Sequence, residues 1–178
     1  ICGDGCLSQL FIESSLGGGT DGTVWQLVPR LDIRTVHACG ANSTAIGIEI
    51  EGRDEDDLLE NTTQYAAVVS AVVKILEAFP SIDYTKQDAV NVEGLLGHME
   101  TQAAYIAANP ETECSGKSDP GFTFLANVRA DVRAAMAAGG ITGGTCPIGV
   151  SAGALYQQHC PLLNDLINEN AASFNTLK

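Results

Sequence analysis

The stretch Gly22–Gly52, GTVWQLVPRLDIRTVHACGANSTAIGIEIEG, decides the fold. Near its end Ile46, Ile48 and Ile50 alternate with Gly47, Glu49 and Glu51. That period of two gives a strand with one apolar and one polar face. Near its start Val24, Trp25, Leu27 and Val28 form a second β-type run, and Leu10, Phe11 and Ile12 form a third just upstream. Gly17-Gly18-Gly19 and Asp21-Gly22 lie between the last two runs and signal a hairpin. Strands are therefore expected over 8–13, 23–29 and 45–51.

Working outward, the spacing of Tyr65, Val68, Val69, Val72, Val73, Leu76 and Phe79 predicts a helix over 61–79, and Pro80 ends it. The run VNVEGLLGH predicts a buried strand over 92–98 that ends at His98. Phe124, Leu125, Val128, Val132 and Met136 predict an inward-facing stripe on a helix over 121–136, stopped at Gly139-Gly140. The tail from Ile141 is Gly-rich, then weakly helical near 151–170. Strands alternating with helices imply an α/β fold, with a central mixed β-sheet flanked by helices. No repeat or linker divides the 178 residues, so one domain over 1–178 is expected.

Hydrophobic residues make up 45% and charged residues 17% of the chain, which excludes a disordered composition. The net charge of −13 argues against nucleic acid and anionic lipid as partners. No apolar run approaches the roughly 20 residues of a membrane span, so no membrane insertion is expected. Glu51, Asp54, Glu55, Asp56, Asp57 and Glu60 read as a solvated acidic face, without the ligand spacing of an EF-hand. The composition does not specify an oligomeric state.

Cys2, Cys6, Cys39, Cys114, Cys146 and Cys160 show no CxxC spacing. An even, scattered set with few lysines predicts three disulfides and a secreted protein. Fifteen connectivities remain open. Asn42-Ser43-Thr44 and Asn61-Thr62-Thr63 are sequons compatible with a secreted glycoprotein, and a start at Ile1 without a signal peptide suggests a mature form.

His98, Lys117 and Asp119 concentrate chemistry in one segment of a chain that has only three histidines and nine basic residues. His98 and Asp119 are metal-ligand types, and a catalytic zinc site takes three protein ligands and keeps one position open. Lys117 stands two residues before Asp119, placed to stabilise an oxyanion beside a metal. Glu49 puts a carboxylate into an apolar strand, where desolvation raises a pKa as a general base requires; an edge position facing water fits the alternation equally well.

Taken in order, Asp21-Gly22-Thr23-Val24-Trp25-Gln26-Leu27-Val28-Pro29, His37-Ala38-Cys39-Gly40, Ile46-Gly47-Ile48-Glu49, Gly97-His98 and Lys117-Ser118-Asp119-Pro120-Gly121 resemble a known pattern. It is that of the zinc-dependent N-acetylmuramoyl-L-alanine amidases, the amidase-2 and peptidoglycan-recognition-protein group. The resemblance covers about residues 8–137 and leaves 138–178 as a C-terminal extension. It implies His98 and Asp119 as zinc ligands, Glu49 as the base and Lys117 as the oxyanion stabiliser. Trp25 and His37 would line the substrate pocket, His37 as a non-ligand. The implied reaction cuts the amide between muramic acid and L-alanine in peptidoglycan. The family's first zinc ligand comes from a His-His-Thr-like strand upstream of the segment matching Leu7–Ile12, and the sequence begins almost at that point. Two ligands out of three are therefore expected, with weak zinc binding or none. A degenerate amidase scaffold that binds a glycan or peptide without metal is the alternative. His159 is expected at the surface beside Cys160, with a substitute ligand as the other option.

Overall fold

The computed structural model describes residues 8–139. His159, Cys2, Cys6, Cys146, Cys160 and the helix expected near 151–170 lie outside the described residues. Three strands form the expected mixed sheet: β1 (Leu10–Ile12), β2 (Val24–Gln26) and β3 (Ile48–Ile50). Their order is β2-β1-β3, with β1 antiparallel to β2 and parallel to β3. Each is three residues long, shorter than its predicted span, because turns and loops take over the ends.

Leu10 and Ile12 are fully buried on one face of β1, and Ile48 and Ile50 share that side. The face is covered by α2 (Thr62–Ala78), whose Val68, Val69, Val72, Val73, Leu76 and flanking Phe79 form the predicted stripe. Helix α4 (Phe122–Ala137) packs on α2, and Phe124 meets Tyr65 edge to face at 5.6 Å between ring centres. These contacts bury apolar surface worth roughly 25 cal/mol per Å².

Gln64 crosses this core as a polar tie. Its side chain is buried, and its Nε2 donates to Ile12 O at 3.1 Å and Glu51 O at 2.7 Å. The helix is thereby keyed to the ends of β1 and β3.

The acidic run is more than a solvated face. Glu55–Glu60 form a short helix, α1, capped by Asp54, which accepts from Asp57 N. Asn61 caps α2 through Oδ1 while its Nδ2 donates to Asp21 at 2.7 Å, so the second sequon's carboxamide is engaged at both ends. Glu55 Oε1 accepts from Phe124 N at 2.8 Å and caps α4, where Gly121 offers no side chain. Glu51 accepts from Ser14 N and Oγ.

The strand expected over 92–98 is not formed. Only Glu93–Gly94 (β5) is extended, paired with β4 (Gln87–Asp88) in a two-stranded ribbon. Val92 and Gly94 have φ of 55° and 105°, which turn the chain back on itself. His98 then opens a helix, α3 (His98–Ala108), instead of closing a strand. The apolar run misled because a strand also needs a partner ladder. Among the described residues, the outer edge of β3 pairs with nothing. Leu95 and Leu96 instead line a cavity beside that edge.

Gln64→Leu should lower the unfolding free energy by about 1–3 kcal/mol, since Glu51 O loses its donor inside the protein while Ile12 O keeps the Glu51 N–H. Urea denaturation measures it, and an unchanged midpoint would show that the tie contributes nothing.

Candidate active site

The register of β3 places Glu49. Phe11 stands opposite Trp25 on one side and Glu49 on the other, so Trp25, Phe11 and Glu49 form a row across one face of the sheet. It is the face opposite α2. Glu49 is half-buried there and lines a cavity of about 590 Å³ together with His37, His98 and Asp119. The cavity passes round the open edge of β3 and reaches Leu76 and Phe79 on the other side. Burial, then the negative charge of Asp119, pushes the Glu49 carboxyl above its ordinary value.

His98 is set by the first turn of α3. Arg129 reaches from α4, donates to Leu95 O at 2.9 Å through Nε and grips both oxygens of Glu100 at 3.1 and 2.6 Å. Glu100 in turn accepts from Gly97 N at 2.9 Å, fixing the start of the helix. The loop before α4 is tied on by Met99 N, which donates to Asp119 O at 3.1 Å. His98 Nδ1 then lies 3.0 Å from Asp119 Oδ2, and Nε2 lies 2.9 Å from Gln102 Oε1. Gln102 Nε2 donates to Ser115 O, so its oxygen is the atom that faces His98. His98 therefore carries hydrogen on Nε2 and turns Nδ1 toward Asp119. Asp119 raises the His98 pKa against the effect of burial, and His98 lowers that of Asp119.

His37 lies in a loop held by the Cys39–Cys114 disulfide. The bond spans 75 residues, which in the chain-entropy model removes about 4.5 kcal/mol of unfolded-state freedom. It also joins the His37 loop to the one that carries Lys117. Lys117 is exposed, and its charge acts on Glu49, His98 and Asp119. Trp25 does not line the cavity: it is half-exposed on β2, with its Nε1 donating to Glu13 at 3.3 Å.

The family model Amidase_2, N-acetylmuramoyl-L-alanine amidase, matches residues 7–122. The chain belongs to this family. The match takes in every site residue named above except Arg129, and ends at the first residue of α4. Neither a curated protein nor a solved structure is significantly similar to the chain.

The donor set suits two positions of a zinc site. Two ligand atoms on a tetrahedral ion at about 2.1 Å stand about 3.4 Å apart, close to the 3.0 Å between His98 Nδ1 and Asp119 Oδ2. Gln102 orients the imidazole as the outer partner of a ligating histidine does. Among the described residues no group of three His, Cys, Asp or Glu side chains converges on a common point.

The sequence does not mark Gln102, Glu100 or Arg129 as site residues, since a strand ending at His98 hides the helical spacing of α3. At helical spacing, His98 and Gln102 stand four residues apart on one face, which would have paired them.

In the metal-free protein, the Glu49 carboxyl should titrate above 4.5, its ordinary value, and Asp119→Asn should bring the midpoint down by removing a neighbouring negative charge. Carbon-13 NMR of the carboxyl reads both. A midpoint at or below 4.5 would place Glu49 in water.

Proposed function

We propose that this protein is a secreted zinc hydrolase that cuts the amide between the lactyl group of N-acetylmuramic acid and L-alanine in peptidoglycan. One observation carries the reading. A half-buried carboxylate with a raised pKa, Glu49, shares a cavity with a ligand-type pair, His98 and Asp119.

His98 and Asp119 would hold the ion. Bound there, zinc supplies Lewis-acid chemistry, polarising the scissile carbonyl and acidifying water. Glu49 takes the proton from the attacking water and passes it to the departing alanine nitrogen as the C–N bond breaks. Its raised pKa makes it a better acceptor near neutral pH than an exposed carboxylate. Lys117 sets a positive charge beside the carbonyl oxygen, where negative charge grows. Trp25 and Phe11 offer a flat apolar surface next to Glu49 for the glycan or the stem peptide, and His37 closes the cavity wall. The disulfide and the low lysine content support an oxidising, extracellular setting.

A second reading, a metal-free scaffold that binds peptidoglycan without cutting it, is favoured by one fact. Among the described residues only two ligand-type side chains meet.

Digestion of purified peptidoglycan by the zinc-supplemented protein, followed by mass analysis, separates the two. Hydrolysis should release peptides with a free N-terminal alanine. Glu49→Gln should lower kcat by about 10²–10⁴-fold and Lys117→Ala by about 10²-fold. Binding to insoluble peptidoglycan with no product at any zinc concentration would establish the second reading.

A further inference from the structure

The hydrogen bonds around His37 fix which of its nitrogens carries the proton. The chain of reasoning starts at Gly47 N, which can only donate and donates to Gln9 Oε1 at 2.6 Å. Gln9 Nε2 faces two carbonyl oxygens, Ile33 O at 3.0 Å and Ala45 O at 3.4 Å. The oxygen and nitrogen of this buried carboxamide are thus assigned by their partners. Gln9 Oε1 only accepts, so Thr35 Oγ1, 2.9 Å away, donates its single hydrogen to it. The remaining contact of Thr35, His37 Nδ1 at 2.9 Å, must then be a donor.

Position is fixed as firmly as protonation. Asn42 Oδ1 accepts from the backbone N–H groups of His37 and Ala38, both at 2.8 Å. The ring rests on Gly47, where an added Cβ would stand 2.5 Å from the imidazole Cγ. Nε2 is buried with no acceptor beside it among the described residues, so a second hydrogen on the ring would be left unpaired and the neutral form is favoured, in keeping with a pKa that burial lowers. A neutral ring with hydrogen on Nδ1 keeps a lone pair on Nε2. That atom is buried and, among the described residues, is the one buried side-chain nitrogen or oxygen without a hydrogen-bond partner. His37 lines the same cavity as Glu49 and His98, but belongs to no group of three metal-ligating side chains there.

We propose that Gln9 and Thr35 are positioning residues that hold His37 as its Nδ1–H tautomer, so that the Nε2 lone pair accepts a hydrogen bond from an amide N–H or hydroxyl of the bound muramyl peptide. The ligand class rests on the proposed function; the tautomer rests on the hydrogen bonds alone. A donor that reaches Nε2 meets an acceptor that no group among the described residues has paired, and so removes the cost of leaving it unpaired. The selectivity that results is for ligands that present a donor at that point: an analogue N-methylated or deoxygenated there leaves the lone pair unpaired.

Long-range proton–nitrogen NMR on the nitrogen-15-labelled full chain tests it, with muramyl dipeptide as the probe and Glu49→Gln as the background to prevent turnover. The free protein should show hydrogen on His37 Nδ1 and a bare Nε2. At saturation the Nε2 resonance should move toward the hydrogen-bonded position. Thr35→Val should allow the Nε2–H tautomer and weaken binding by about tenfold, and Thr35→Ser should restore both. Hydrogen on Nε2 in the free protein, or an unmoved Nε2 signal at saturating ligand, would overturn the proposal. If the wild-type chain neither binds nor cuts muramyl peptides, the proposed function fails and the acceptor role falls with it. The tautomer read in the free protein then reports separately whether the Gln9–Thr35 relay exists.

Discussion

The parallel pairing of β3 with β1 is the constraint on which the site depends. Leu10, Ile12, Ile48 and Ile50 bury on α2, and the strand alternation then forces Glu49 to the opposite face beside Phe11. A slip of one residue would drive the carboxylate into the core and bring two isoleucines out to water. The apolar contacts that hold the fold thus aim the carboxylate, and Gln64 locks the register at its C-terminal end. Gly47 adds the complementary service at the other end. It leaves room for the His37 ring and pins the Gln9 amide that orients it.

A second support comes from α4. Arg129 is a cation in the interior, and it is tolerated because Glu100 and Leu95 O take four of its five N–H donors, two of them on a carboxylate. Through Glu100 it fixes the first turn of α3, and with it His98. Asp119 arrives from the loop that precedes the same helix α4, which Glu55 caps from α1. Both halves of the His98–Asp119 pair are therefore referenced to one helix, although the two residues lie 21 positions apart.

Much of this was readable from residues. The alternation at Ile46–Ile50 and the stripes on α2 and α4 each report burial on a regular surface, which is what periodicity records, and the Asp21-Gly22 turn reports a positive φ that glycine allows. The cavity partners Glu49, His98 and Asp119 were found through chemistry and motif order. What escaped was decided by partners outside the local pattern. Leu95 and Leu96 looked like a strand, yet a strand forms only where a neighbouring ladder exists. The positive φ of Val92 could not be foreseen, since a β-branched residue rarely adopts it. The acidic run gave no sign that Glu55 would cap a helix 67 positions downstream at Phe122. Gln9 and Thr35 are polar residues of an ordinary kind, and only their convergence on His37 sets them apart.

We propose that His98 and Asp119 are zinc ligands facing a base on β3. Diffraction from zinc-soaked crystals of the full chain, with anomalous data collected on both sides of the zinc absorption edge, tests it most directly. The account predicts an anomalous peak within bonding distance, about 2.0–2.2 Å, of His98 Nδ1 and an Asp119 oxygen, with Glu49 across the cavity. A direct His98–Asp119 hydrogen bond that persists at saturating zinc, with no peak between them, would contradict it.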